Sequence, residues 1–246
     1  MNAEFVPLPE QGRRFTRSRR VRLGDVNATN RLRLDAVASY LQDVAGDDVD
    51  DAGVEGAWVV RRTALAIVRL PRYGEEVELT TFCSGTGSHW AERRTRLSVN
   101  DAPAVDAVAV WVNVDRAGRP VRLEDWFFDH FGEAAGGRRA SSRLWLPPPP
   151  ADGASSRPWG LRTTDFDLLG HMNNAAYWYA VEDELARRAP RSVPATAQLE
   201  HRAAVEPDER VELRSQLDGD RLSVWLSVMD QTRAAAQVSL RSGGRH

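Results

Sequence analysis

The feature that most constrains this 246-residue chain is that it repeats itself. Displaced by 140 positions, Arg22 falls on Arg162, Asp25 on Asp165, Asn27 on Asp167 and Leu32 on Met172. Leu41, Gln42 and Asp43 fall on Val181, Glu182 and Asp183 in the same register. Displaced by 134 positions, Glu76-Val77-Glu78-Leu79 falls on Arg210-Val211-Glu212-Leu213, as a shorter loop in the second half would produce. The matches are collinear, and internal duplication is the simplest account of them. A chain of this length could form one large domain or two, and duplication predicts two like units, each with a core of its own.

The periodicity changes in the same order in each half. The first opens with an extended stretch, Ser18 to Leu23. Leu34, Val37, Ala38, Leu41, Val44 and Ala45 then recur at the spacing of one helix face. Strand-like runs follow at Trp58 to Arg69, Glu76 to Gly85, Ala91 to Val99 and the very apolar Val105 to Val114. The second half offers Arg157 to Thr163, then a helix from about Asn174 to Arg188. Strands follow near Thr196 to Ala203, Arg210 to Gln216, Arg221 to Met229 and Ala234 to Arg241. Asp218-Gly219-Asp220 has the composition of a hairpin turn. One long helix followed by antiparallel strands, twice over, predicts an α+β fold in which a curved sheet wraps each helix. Between the halves, Gly136-Gly137, Ser141-Ser142 and the run Pro147 to Pro150 favour a stiff extended connection. We expect a domain over residues 1–135, a Gly/Ser/Pro linker over 136–156 and a second domain over 157–246.

Composition excludes several chemistries. A net charge of −2 gives no support for a nucleic-acid partner. All 33 basic residues are Arg, which rules out Schiff-base lysine chemistry and a phosphate-loop lysine. Cys83 is the only cysteine, so no intrachain disulfide can form and a reducing compartment is expected. It shares one alternating face with Val77, Leu79 and Thr81, which predicts an inward-facing strand residue. No apolar run is long enough for a signal-peptide core or a bilayer span, so a cytoplasmic protein without membrane insertion is expected. His89, His130, His171, His201 and His246 show no zinc-site spacing, and there is no Gly-x-Ser-x-Gly elbow. No metal or organic cofactor is expected.

The chemistry concentrates in Asp165-Phe166-Asp167-Leu168-Leu169-Gly170-His171-Met172-Asn173-Asn174, just before the second helix. A carboxylate and an imidazole can move protons, and N–H groups at a helix start can hold an oxyanion. Asp167 is the candidate base or nucleophile, because its counterpart Asn27 could make the same turn without charge. His171, whose counterpart is Arg31, is the candidate to assist a leaving group. The backbone N–H groups of Gly170 and Met172 are the candidate oxyanion donors, and Gly170 also permits positive φ. Asn173 and Asn174 read as turn and helix-cap residues, with Asn174 the cap. Glu182 is a fallback carboxylate, five positions past Tyr177. Asp165 keeps its carboxylate in the copy, as Asp25, and so reads as structural.

The turn resembles the Asp-x-x-Gly-His-x-Asn-Asn signature of hot-dog-fold thioesterases. Four first-half blocks extend the likeness: Leu41 to Ala45, Trp58 to Arg62, Tyr73 to Val77, and the strand ending Val110-Trp111-Val112. Over nearly its whole length the chain resembles the acyl-acyl carrier protein (acyl-ACP) thioesterases of fatty-acid synthesis, as a bacterial-type relative of the plant plastid enzymes. The resemblance implies tandem hot-dog domains and release of fatty acids from acyl carrier protein by thioester hydrolysis. It implies an acyl pocket in the first domain, with Trp58 a candidate wall residue, and catalytic groups in the second. Asp167 and His171 match the plant Asp-x-Asn-x-His pattern, but Leu169 holds its middle position. Ala204 and Val205 stand where the plant Tyr-Arg-Arg-Glu-Cys block has Glu and Cys. Asp167 also matches the single Asp of simpler hot-dog thioesterases. Since acyl carrier protein presents an acidic helix, Arg61-Arg62, Arg93-Arg94-Arg96, Arg138-Arg139 and Arg187-Arg188 are candidate docking residues. Alternatives left open are an acyl-CoA thioesterase, a hot-dog dehydratase or hydratase, and a non-catalytic acyl-binding protein, as monomer or homodimer.

Overall fold

The computed structural model of the chain describes residues 5–54, 56–168 and 170–242. It divides into two compact units, Met1–Leu32 with Tyr40–Arg143 and Arg33–Ser39 with Leu144–His246. The first unit holds β1 (Phe15–Arg20), most of α1 (Leu34–Asp51), β2 (Ala57–Ile67), β3 (Glu76–Thr86), β4 (Trp90–Val99), β5 (Ala102–Val114) and α2 (Asp125–Ala135). Its strands are antiparallel in the order β1-β3-β4-β5-β2. The second holds β6 (Ser155–Trp159), α3 (Tyr177–Arg188), β7 (Ser192–His201), β8 (Val211–Asp218), β9 (Arg221–Val228) and β10 (Gln231–Ser242). Here the order is β6-β8-β9-β10-β7, the same path strand for strand. The α+β duplication expected from the sequence is therefore present strand for strand, with α1 matched by α3, while α2 has no counterpart among the described residues of the second unit.

The local reasons are those written in the residues. In β3 the alternating Val77, Leu79, Thr81 and Cys83 are all buried. In α1 the stripe of Leu34, Val37, Leu41, Val44 and Ala45 is buried, joined by Ala36 and Tyr40. Removing each large apolar side chain of that stripe from water contributes about 1.5–3 kcal/mol. Tight turns carry the backbone twist that hairpins need: Asn100 and Asp101 both have positive φ between β4 and β5, and Gly219 opens the turn between β8 and β9. Register shifts within β2–β5, β3–β4 and β4–β5, and at β10 against both its neighbours, mark bulges, which bend strands.

Two details differ from expectation. The helix α2 was not foreseen, although Phe127, Phe131 and Ala134 fall at helical spacing and are buried. It ends at Gly136, whose φ of 55° supplies the left-handed cap and whose N–H donates to Glu133 O. The proline run lies outside helix and strand, and it is tied down. Trp225 Nε1 donates to Pro147 O at 2.9 Å and Arg214 Nη2 to Pro150 O at 2.7 Å. Just before it, the Trp145 and Leu146 N–H groups donate to the wholly buried carboxylate of Glu200.

Candidate active site

The turn that carries Asp167 is a copy of one in the first unit. A short 3-10 turn, Thr163–Asp165, matches Leu23–Asp25. The Arg162 N–H donates to Asp165 Oδ2 at 2.9 Å, as Arg22 N–H does to Asp25 Oδ2 at 2.8 Å. The Asp167 N–H donates to His171 O and the Gly170 N–H to Asp167 O; Asn27, Arg31 and Asn30 repeat both bonds. Gly170 has a φ of 76° and Asn30, its counterpart, 57°. Asn is among the few side chains that tolerate this region, so the turn geometry needs Gly or Asn here. A Cβ built on Gly170 would meet nothing within 4 Å, which leaves room for a group to approach the backbone. The Met172 N–H donates to Val205 O as Leu32 N–H does to Pro71 O, and these acceptors are related by the second register of the repeat.

Side chains divide the two turns. Asn27 Oδ1 accepts from the Thr29 N–H, the Thr29 hydroxyl and the Arg31 N–H, at 3.0, 2.8 and 3.2 Å. A neutral amide therefore serves the turn. At Asp167, half-buried, the same position carries a charge that the turn does not require. Asn173 reaches it: its Nδ2 donates to Asp167 Oδ2 at 3.4 Å while its Oδ1 accepts from the Ala175 N–H at 2.9 Å. The half-exposed His171 places Nε2 3.4 Å from Glu206 Oε1. Tyr177, buried at the start of α3, accepts from the Val205 N–H, and burial pushes its hydroxyl up to about 12. Asp165 is almost wholly buried and also pairs with the Arg162 side chain, as a structural carboxylate would.

In the first unit a cavity of about 290 Å³ lies between α1, α2 and the sheet. Its walls include Trp58, Trp111, Trp126, Phe127 and Phe131. Trp58 and Phe127 stand 5.6 Å apart, and Phe127 and Phe131 5.2 Å. Cys83 also faces it; burial pushes this thiol up to about 11, so it remains protonated and serves as wall rather than nucleophile.

Two family descriptions cover these units in order: "Acyl-ACP thioesterase N-terminal domain" matches residues 12–130 and "Acyl-ACP thioesterase C-terminal domain" matches residues 150–242. The chain belongs to the acyl-ACP thioesterase family. It is a thioester hydrolase built as two tandem hot-dog domains. An uncharacterized protein of Mycobacterium tuberculosis is 29% identical over 236 residues, covering 94% of each chain. Among solved structures, the 12:0-ACP thioesterase of Umbellularia californica aligns with a TM-score of 0.80 and 18% identity, over 93% of this chain and 97% of its own. The acyl-ACP thioesterase of Bacteroides thetaiotaomicron aligns with a TM-score of 0.72 and 16% identity, over 93% and 98%. At such identities the likeness speaks for the fold.

Within this thioesterase the structure corrects several expectations. The Gly170 and Met172 N–H groups are occupied by Asp167 O and Val205 O, so they are not the expected oxyanion donors. Asn174 is not the helix cap, because α3 begins at Tyr177 and Ala176 holds the cap position. Asn173 closes the preceding turn instead. Glu182 is buried and accepts from the Leu34 N–H at 2.8 Å, holding the start of α1. A carboxylate at a helix N-terminus is stabilising, which gives Glu182 a structural use. The arginine clusters are also largely committed. Arg62 donates to Arg143 O, Arg93 pairs with Asp48, Arg94 and Arg96 with Asp106, and Arg188 with Glu184.

Leu169 lies outside the described residues. Trp58 lines the first-unit cavity. The pairing of His171 with Glu206 was missed, because Glu206 is close only through folding. Among the described residues no group of three His, Cys, Asp or Glu side chains is placed to hold a metal ion, and no helix is long and apolar enough to cross a membrane.

Proposed function

We propose that the protein hydrolyses fatty acyl thioesters of acyl carrier protein, with Asp167 as base or nucleophile. The observation that carries this reading is the pair of matched turns: a neutral amide suffices at Asn27, so the turn by itself does not account for the charge at Asp167. As a base, Asp167 takes a proton from water as the water oxygen adds to the thioester carbonyl. The tetrahedral intermediate then collapses with cleavage of the C–S bond, and the thiolate takes a proton, with His171 assisting and Glu206 orienting its ring. The products are a free fatty acid and the carrier thiol. Asn173 holds the Asp167 carboxylate through its Nδ2. The first-unit cavity, with Trp58 in its wall, receives the acyl chain. We place the acyl domain over residues 1–135 and the catalytic domain over 157–246.

The 12:0-ACP thioesterase among the structural neighbours and the family match support carrier protein as the thiol partner. The test is to offer the purified protein matched acyl-ACP and acyl-CoA thioesters and measure free thiol and fatty acid. Turnover of acyl-ACP, lost in Asp167→Asn, is the expected result. Turnover confined to acyl-CoA would replace the carrier-protein reading, and full turnover in Asp167→Asn would remove Asp167 from the mechanism. Carrier-protein docking is steered by charge, so kcat/KM should fall with ionic strength for acyl-ACP and much less for short acyl-thiol analogues.

A further inference from the structure

The loop that brings Glu206 to His171 is held on both sides of Val205, a wholly buried residue. The Val205 carbonyl accepts from the Met172 N–H at 3.0 Å, and its N–H donates to the Tyr177 hydroxyl at 3.1 Å. The next residue is Glu206, whose Oε1 lies 3.4 Å from His171 Nε2. The first half repeats part of this arrangement. Pro71 corresponds to Val205, and its carbonyl accepts from the Leu32 N–H at 2.7 Å. Glu75 Oε2 accepts from the Arg72 N–H at 2.8 Å, as Glu209 Oε2 does from the Glu206 N–H at 2.9 Å. The bond to Tyr177 is not repeated. Pro71 has no N–H to give, and Val37, at the position of Tyr177, has no hydroxyl. The side chains differ too: Arg31 and Arg72 stand where the second half has His171 and Glu206. The Tyr177 bond and the His171–Glu206 pair thus occur together, in one copy, on a loop that closes without either in the other.

We propose that Tyr177 is a positioning residue for thioester hydrolysis, holding Val205 so that Glu206 keeps the His171 ring in place. The inference rests on the reading that His171 assists the leaving thiolate. His171 and Glu206 are each about half exposed, and a contact so open to water contributes little by itself. It can orient the ring only if the backbone under Glu206 is already fixed. The buried Tyr177 hydroxyl, at the first residue of α3, supplies that fixed point through the Val205 N–H. Tyr177 therefore acts through Val205 and Glu206, and a small displacement there is passed to a group whose placement sets the rate.

The experiment measures kcat and KM with one acyl thioester for Tyr177→Phe, Val205→Pro and Glu206→Gln, each alone and combined with His171→Ala. Tyr177→Phe keeps the ring against His201, 4.8 Å away between centroids, and removes the hydroxyl. Val205→Pro removes the same bond from the other side, installs the residue of the first half and leaves no buried N–H unpaired. It keeps the test decisive should Tyr177→Phe fail to fold. Each single variant should lower kcat by about three- to tenfold, no more than His171→Ala does, with KM nearly unchanged. None should lower kcat further once His171 is Ala, because groups that act through one another are not additive. A folded Tyr177→Phe or Val205→Pro with wild-type kcat overturns the proposal. So does a loss of the same size with and without His171, which would mark a merely structural role. If His171→Ala alone retains full turnover, the reading of His171 fails and the proposal falls with it, an outcome that this single variant identifies.

Discussion

From Arg22 to Leu32 and again from Arg162 to Met172 the backbone closes the same hydrogen bonds at matched positions, yet different side chains ride on it. Asn27 corresponds to Asp167, Asn30 to Gly170 and Arg31 to His171. Asp25 and Asp165, by contrast, are the same residue doing the same work at the N–H of the preceding Arg. The difference separates scaffold from chemistry within one motif. Groups present in both copies close the turn, whereas a charge or imidazole present in only one is not demanded by the turn. Asp25 has acquired a further duty, accepting the Tyr40 hydroxyl at 2.6 Å, which helps raise that hydroxyl's pKa alongside burial.

The comparison can be broken most decisively at Asp167. Asp167→Asn installs the residue that the first turn already uses. It should lower kcat by about 10²–10⁴-fold, or ~3–5 kcal/mol of barrier, with the melting temperature nearly unchanged. Steady-state kinetics alongside thermal denaturation checks this; a collapse of stability with turnover intact would make the charge structural after all.

The shared carboxylates should behave in the opposite way. Asp165→Ala leaves the Arg162 N–H without its acceptor and should cost about 1–3 kcal/mol of stability; Asp25→Ala should cost a similar amount, most of it from the buried Tyr40 hydroxyl left without an acceptor, since the Arg22 N–H is exposed. Chemical denaturation measures both losses. A neutral result at either position would mean that the two turns are not held alike.

A smaller effect is expected at His171. His171→Ala should lower kcat about tenfold, below the loss at Asp167, if the imidazole only assists the leaving thiolate. Arg31→Ala in the first turn should leave turnover alone. Equal losses at His171 and Arg31, measured with the same thioester, would erase the distinction between the copies.

The smallest effect sharpens the rule. Asn27→Asp keeps an oxygen for the three donors that Asn27 serves, so stability should move by no more than about 0.5 kcal/mol. Turnover should neither rise nor fall, because a carboxylate alone does not recreate the second turn without its His171 and Asn173. A gain in activity would show that the first turn retains a competent site.

The duplication, the strand runs, the two amphipathic helices and the Asp167 turn were legible in the residues, because each is a local pattern of period, turn chemistry or repeat. Even Asn27 against Asp167 could be set side by side before any fold was known. The helix α2 is also written locally, in the helical spacing of Phe127, Phe131 and Ala134. Tertiary structure alone decided the rest. It brought Glu206 to His171, occupied the Met172 N–H with Val205 O, and turned Glu182 into the carboxylate that holds the start of α1. It likewise drew Arg93, Arg94 and Arg96 into internal ion pairs. The physical reason is common to all of them. A hydrogen bond or ion pair depends on which groups meet across tens of residues of sequence, and spacing along the chain carries no record of that meeting.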